Sequence, residues 1–174
     1  APTGSVTIDN NTPARGDTLT ASNTLAHADG PGTISYQWKA NGTNISGATG
    51  TTYVLTEAEV GKTITVVAGY TDGHGTAETV SSTATAAVAN VNDAPTGSVT
   101  ISGAATQNQT LTASNTLADA DGLGTISYQW KANGTNISGA TGTTYVVTEA
   151  EVGKVMTVIA SYTDGHGTAE TISS

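Results

Sequence analysis

The chain has 174 residues, with five Lys plus Arg against fourteen Asp plus Glu, a net charge of −9, and no cysteine. Nucleic acid and anionic membrane surfaces need a basic patch, so this balance excludes them as partners and favours cations, hard divalent ones above all. Disulfides, thiolate zinc sites and cysteine nucleophiles are excluded outright. Aromatics make up 5% and Phe is absent, so each core must be thin, which suits a two-layer β-sandwich. No apolar run reaches spanning length, and neither membrane insertion nor a signal peptide is expected.

Period-two alternation marks the strands in chain order. Val6 and Ile8 predict a strand A, and Leu19 and Ala21 a strand B. Ile34, Tyr36 and Trp38 alternate with Ser35, Gln37 and Lys39 to give strand C. Asn41-Gly42 and Ser46-Gly47 punctuate an excursion with no defined strand. Tyr53 and Leu55 predict strand E. Thr56-Glu57-Ala58-Glu59 has capping-box spacing and predicts one helical turn, with Val60 plugging the end of the core. Ile64, Val66, Ala68 and Tyr70 form strand F. After a tight turn at Asp72-Gly73-His74-Gly75, strand G is expected to run through Val80, Ala84, Ala86 and Val88.

The whole pattern then repeats. Pro2–Ile8 recurs as Pro95–Ile101, and Thr18–Ser82 matches Thr110–Ser174 with eight differences, at 27, 31, 55, 63, 64, 67, 69 and 80. Leu55 to Val147, Ile64 to Met156 and Val80 to Ile172 keep apolar positions apolar. Two domains are expected, at 1–92 and 93–174, the second without a counterpart of Thr83–Asp93. A chain so cut is expected to come from a longer array, with one sheet edge of copy 2 exposed.

A Trp on the third strand, a turn-rich E–F corner and a long F–G hairpin resemble the immunoglobulin-like sandwich. More narrowly, SYQWKANG…ISGATGTTYVLTEAEVGKTITV…YTDGHGTAE, joined by VNDAP, resembles bacterial Ig-like or cadherin-like repeats of large surface adhesins, including repeats-in-toxin (RTX) types. The likeness covers essentially the whole chain. It implies an all-β fold of two tandem immunoglobulin-like antiparallel β-sandwich domains. It also implies an extracellular, bacterial cell-surface location and a monomeric chain whose partners are neighbouring repeats. The absence of a B–F disulfide limits the likeness to architecture.

In this topology the B–C and F–G loops lie at the N-terminal end of a domain and the E–F corner at its C-terminal end. Stacking is therefore expected to gather Glu57 and Glu59, linker residues Asn92 and Asp93, Asp119 and Asp121, and Asp164 at one junction. Oxygen side chains converging in that number are what Ca²⁺ needs for six to eight ligands. The Val-Asn-Asp-Ala-Pro linker also resembles the calcium-ligating Asn-Asp linker of cadherins. Taken singly, each element has a plainer reading. Asp119-Ala-Asp121-Gly122 and Asp164-Gly165 are turn signals, Glu59 is a capping residue, and Asn92-Asp93 before Pro is extended linker. Copy 1 departs from the pattern, with His27 in place of the first Asp and no Asn-Asp ahead of it. One complete site is expected, at 92–95.

His74 and His166 have no Ser or Cys placed to form a nucleophile–base pair, and Trp38 and Trp130 read as core. No phosphate-binding Gly loop opens a helix. Neither an enzyme nor a small-molecule substrate is expected. The function this implies is that of stalk repeats, stiffened by calcium to project a distal adhesive domain. The alternative is a glycan- or protein-binding module acting through the end loops, which lack clustered exposed aromatics or Arg as anchors.

Overall fold

A computed structural model describes residues 1–174. The chain divides into two units, Ala1–Val91 and Asn92–Ser174. No helix is long and apolar enough to cross a membrane.

Unit 1 is a two-layer antiparallel sandwich. Strands β1 (Val6–Ile8), β2 (Thr18–Asn23) and β5 (Thr52–Val54) form one sheet in the order β1-β2-β5. Strands β3 (Ser35–Ala40), β4 (Thr43–Asn44), β6 (Ile64–Thr71) and β7 (Ala77–Ser81) form the other, in the order β4-β3-β6-β7. This A-B-E and C′-C-F-G arrangement is the immunoglobulin-like topology. Alternate residues turn inward, and Val6, Ile8, Leu19 and Ala21 meet Trp38, Ile64, Val66, Ala68 and Tyr70 in a single buried cluster. Trp38 is wholly buried, and its indole N–H donates to Gly50 O at 2.9 Å, so the large ring leaves no polar atom unpaired.

The excursion after strand C resolves into a short hairpin. Ala40 pairs with Thr43 across Asn41 and Gly42, whose φ values of 45° and 79° match a two-residue turn of the mirror-image kind that suits strand twist. Glu57–Glu59 forms one 3₁₀ turn. Thr56 Oγ1 accepts from Ala58 N, while Glu59 Oε2 accepts from Thr56 N at 2.9 Å and from Thr56 Oγ1 at 2.7 Å.

Strand G differs from its expected course. Its regular ladder ends at Ser81, and it does not continue through Ala84 and Ala86 to Val88. Beyond Ser81 the chain bulges, and side-chain hydroxyls stand in for backbone carbonyls. Val66 N donates to Ser82 Oγ and Ile64 N to Thr85 Oγ1, each at 3.0 Å and both buried. Val88 then forms a parallel bridge to Val60, and Ala89 one to Ala14. Ala84 and Ala86 are exposed, and Ser82, Thr85 and Val88 turn inward at a spacing of three, so the hydroxyls take the pairing.

Unit 2 repeats this plan. Strands β8 (Val99–Ser102), β9 (Thr110–Asn115) and β12 (Thr144–Val146) face β10 (Ser127–Ala132), β11 (Thr135–Asn136), β13 (Met156–Thr163) and β14 (Ala169–Ser173). Leu111, Trp130, Val147, Val158 and Ala160 centre its core. Val155 is 69% exposed, and Met156 is half-buried where Ile64 of unit 1 is fully buried.

Candidate metal centre

In unit 2 the loop after β9 and the β13–β14 hairpin each carry an aspartate turn. Asp119 Oδ1 accepts from Asp121 N at 2.9 Å and closes the first turn. Asp164 Oδ1 accepts from His166 N at 2.9 Å and Thr168 N at 2.8 Å and closes the second. The two turns are stitched together by Gly165 N, which donates to Asp121 O at 2.9 Å. A Cβ on Gly165 would sit 2.5 Å from that same oxygen, so glycine is what permits the approach.

One carboxylate oxygen from each of Asp119, Asp164 and Glu170 then lies within 4.8 Å of the others. Tyr162 Oη donates to Asp119 Oδ2 at 2.5 Å. Burial and the Asp119 carboxylate hold this phenol well above the ordinary tyrosine value, so it remains the donor. For Asp164 burial favours the neutral acid, but the N–H groups of Thr168 and His166 outweigh it and lower its pKa. Asp164 therefore stays ionised at neutral pH. Its Oδ2, and Asp121 Oδ1, are buried with no hydrogen-bond partner, and the two residues are 6% and 4% exposed. Buried anionic oxygens are costly unless something positive meets them.

Of the residues read from the sequence, five belong to this unit and are joined by direct contacts. Asp93 N donates to Asp121 Oδ2 at 2.5 Å, and Asn92 Nδ2 donates to Glu170 Oε1 at 2.9 Å. Asn92 and Asp93 thus reach the two ends of the acidic cluster that Asp119 and Asp164 help to form. Glu57 and Glu59 belong to unit 1. There Arg15 Nε lies 3.5 Å from Glu57 Oε2, and Glu59 is buried in its capping box.

Sequence reasoning missed Glu170. It stands opposite Tyr162 in the β13–β14 register and shares the inward face of β14 with Ile172. A glutamate on the inward face at the open end of a strand was the available signal.

No protein-family model matches the chain, and no curated protein does. Among solved structures it is similar to the three N-terminal domains of the bacteriophage RB49 highly immunogenic outer capsid protein (Hoc), at 18% identity and a TM-score of 0.36. That match covers all of this chain and 58% of the Hoc fragment, so the chain spans under two thirds of it. It is also similar to fibronectin(III)-like modules of Clostridium thermocellum CbhA, at 19% identity, a TM-score of 0.32, and 97% and 92% coverage. A third likeness is to tandem Ig repeats of Dlar, at 15% identity, a TM-score of 0.28, and 99% and 93% coverage.

Proposed function

We propose that the chain is a non-enzymatic spacer of a bacterial cell-surface adhesin. In this reading unit 2 binds Ca²⁺ through Asn92, Asp93, Asp119, Asp121, Asp164 and Glu170. The observation that carries the metal is the buried, ionised Asp164, whose Oδ2 has no partner beside two further carboxylates. Hard oxygens of mixed geometry, completed by backbone carbonyls, suit Ca²⁺ better than the strict octahedron of Mg²⁺. Asn92 and Asp93 follow Val91 directly, so an ion held by them immobilises the segment through which the chain enters unit 2. Restraining that segment in every repeat of an array would extend the stalk. The adhesin setting rests on the resemblance of the repeat and its Val-Asn-Asp-Ala-Pro linker.

The test is a calcium titration of the intact chain against Asp164→Asn and Asp93→Ala, read by melting temperature and small-angle scattering. Extracellular modules bind calcium with Kd of about 10⁻⁴–10⁻³ M. A tenfold excess over Kd then stabilises by about 1.4 kcal/mol. Both variants should lose that increment. Identical melting curves and scattering profiles in calcium and in chelator would sink the proposal.

A further inference from the structure

Unit 1 carries the same framework with one exchange that alters its chemistry. Asp29, Asp72, Glu78 and Tyr70 occupy the places of Asp121, Asp164, Glu170 and Tyr162, but His27 stands where unit 2 has Asp119. The His27 side chain is 4% exposed. Its Nδ1 lies 3.6 Å from Asp29 Oδ2 and 4.0 Å from Asp72 Oδ2, and its Nε2 lies 3.7 Å from Glu78 Oε1. These separations are too long for hydrogen bonds. The two from Nδ1 approach those of ligands sharing one ion, because zinc bonds of about 2.0–2.1 Å set tetrahedral ligands about 3.3 Å apart and wider angles set them further, while Glu78 faces the other ring nitrogen.

Two buried polar atoms around this cluster lack partners. His27 Nε2 is buried with no hydrogen-bond partner. Tyr70 Oη is also buried without one, because the carboxylate that holds its counterpart Tyr162 is replaced by the imidazole. The ring of His27 meets that of Tyr70 edge-on, with centroids 6.2 Å apart. Asp29 N donates to His27 Nδ1 at 3.2 Å, a long bond that marks Nδ1 as the unprotonated nitrogen and that an ion at Nδ1 would have to displace. Asp72 Oδ1 is held by the N–H groups of His74 and Thr76, which leaves Oδ2 facing the imidazole.

We propose that unit 1 binds a zinc-type divalent ion through His27 Nδ1, Asp29 and Asp72, with Glu78 facing the opposite ring nitrogen from outside the ligand set. One imidazole nitrogen with two carboxylates is a donor set for borderline metals, whereas Ca²⁺ requires six to eight hard oxygens. A metal-bound water is the partner that Tyr70 Oη lacks. The inference stands on the atoms of unit 1 and does not depend on calcium in unit 2. The His27 exchange alone gives unit 1 a nitrogen donor where unit 2 offers only oxygens.

Zinc chloride is titrated into the intact chain in calcium-free buffer, with the His27 ring followed by NMR and affinity taken from competition with a chromogenic chelator. Saturable shifts of the His27 ring are expected. His27→Gln and Asp29→Asn should each weaken binding at least about tenfold, the floor observed when even an indirect contact to a ligand is lost. His74→Gln removes a 76%-exposed ring that lies 3.3 Å from Asp29 Oδ1 and should retain most of the affinity. His27→Asp, which restores the carboxylate of unit 2, should abolish the zinc response. Asp29 is exposed, so Asp29→Asn is expected to fold whatever His27 does, and zinc affinity unchanged in that variant overturns the proposal. A His27 ring that responds to pH but not to zinc overturns it equally, leaving the imidazole as an ion-pair partner of Asp29, Asp72 and Glu78.

Discussion

Tyr162 Oη donates to Asp119 Oδ2 at 2.5 Å, while Tyr70, its counterpart in unit 1, is equally buried and has no acceptor. A hydrogen bond to a carboxylate contributes more than one between neutral groups, and a buried hydroxyl without a partner is a cost. Tyr162→Phe should therefore destabilise unit 2, whereas Tyr70→Phe should leave unit 1 unchanged or slightly more stable. Native-state hydrogen exchange of the β13 and β6 amides in the full chain separates the two effects. Equal losses in both variants would contradict the assignment of Tyr70 as orphaned.

Each unit has its own core, centred on a single wholly buried Trp. Trp38→Ala should cost unit 1 about 3–5 kcal/mol through the cavity left behind, and it strips Gly50 O of its donor. Trp130 is then the only indole, and it reports on unit 2 alone. The midpoint it reports should match that of unit 2 in the parent chain, read from exchange of the β10 and β13 amides, while the amides of β3 and β6 lose protection from exchange.

Where side-chain alternation decides a strand, the sequence was enough. Trp38 between Tyr36 and Ala40, or Val66 between Ile64 and Ala68, can face only one way. Strand G was over-extended because Ala84, Ala86 and Val88 alternate correctly. Nothing in their spacing reveals that the hydroxyls of Ser82 and Thr85 replace carbonyls as acceptors. The acidic turns were legible from Asp-Gly and Asp-Ala-Asp-Gly, whose short side chains bond their own backbone. Glu170 was not, because its role depends on pairing opposite Tyr162, a long-range register that local pattern does not specify. The significance of His27 likewise emerges only when Glu78 and Asp72 are brought to its two nitrogens.

The capping box of unit 2 gives stability a pH dependence. Thr148 Oγ1 donates to Glu151 Oε2 at 2.6 Å and Thr148 N at 3.0 Å, and these bonds hold the Glu151 carboxyl below its ordinary 4.5 against the opposing effect of burial. A pKa lowered by folding means that the unfolded chain takes up the proton first. The contribution is thus complete above pH 4.5 and is lost as pH falls through the lower folded value. Glu151→Gln keeps an acceptor at the same place but cannot titrate. Denaturation midpoints measured from pH 7 down to about pH 2 should fall less steeply in this variant than in the parent. Parallel acid limbs would show that the box contributes no proton linkage.

Gly165 tests whether the geometry of the acidic cluster, rather than its charge alone, determines cation binding. Its N–H holds Asp121 O at 2.9 Å, and a methyl group there would lie 2.5 Å from the same oxygen. The oxygen is backbone and a Cβ is fixed in place by its own backbone, so the strain cannot be relieved by a rotamer change. Gly165→Ala should part the turn bearing Asp119 and Asp121 from the hairpin bearing Asp164 while removing no carboxylate. A non-specific ion atmosphere around these acids would not register the change, whereas a cage would. Calcium affinity, measured by calorimetry at constant ionic strength, is expected to weaken about tenfold or more, which is about 1.4 kcal/mol. Gly73→Ala provides the internal comparison, since its Cβ would lie 2.2 Å from Asp29 O in unit 1. It should spare calcium binding and weaken the zinc response of His27. If Gly165→Ala binds calcium as the parent does, the carboxylates of unit 2 act as diffuse charge and not as a coordination site.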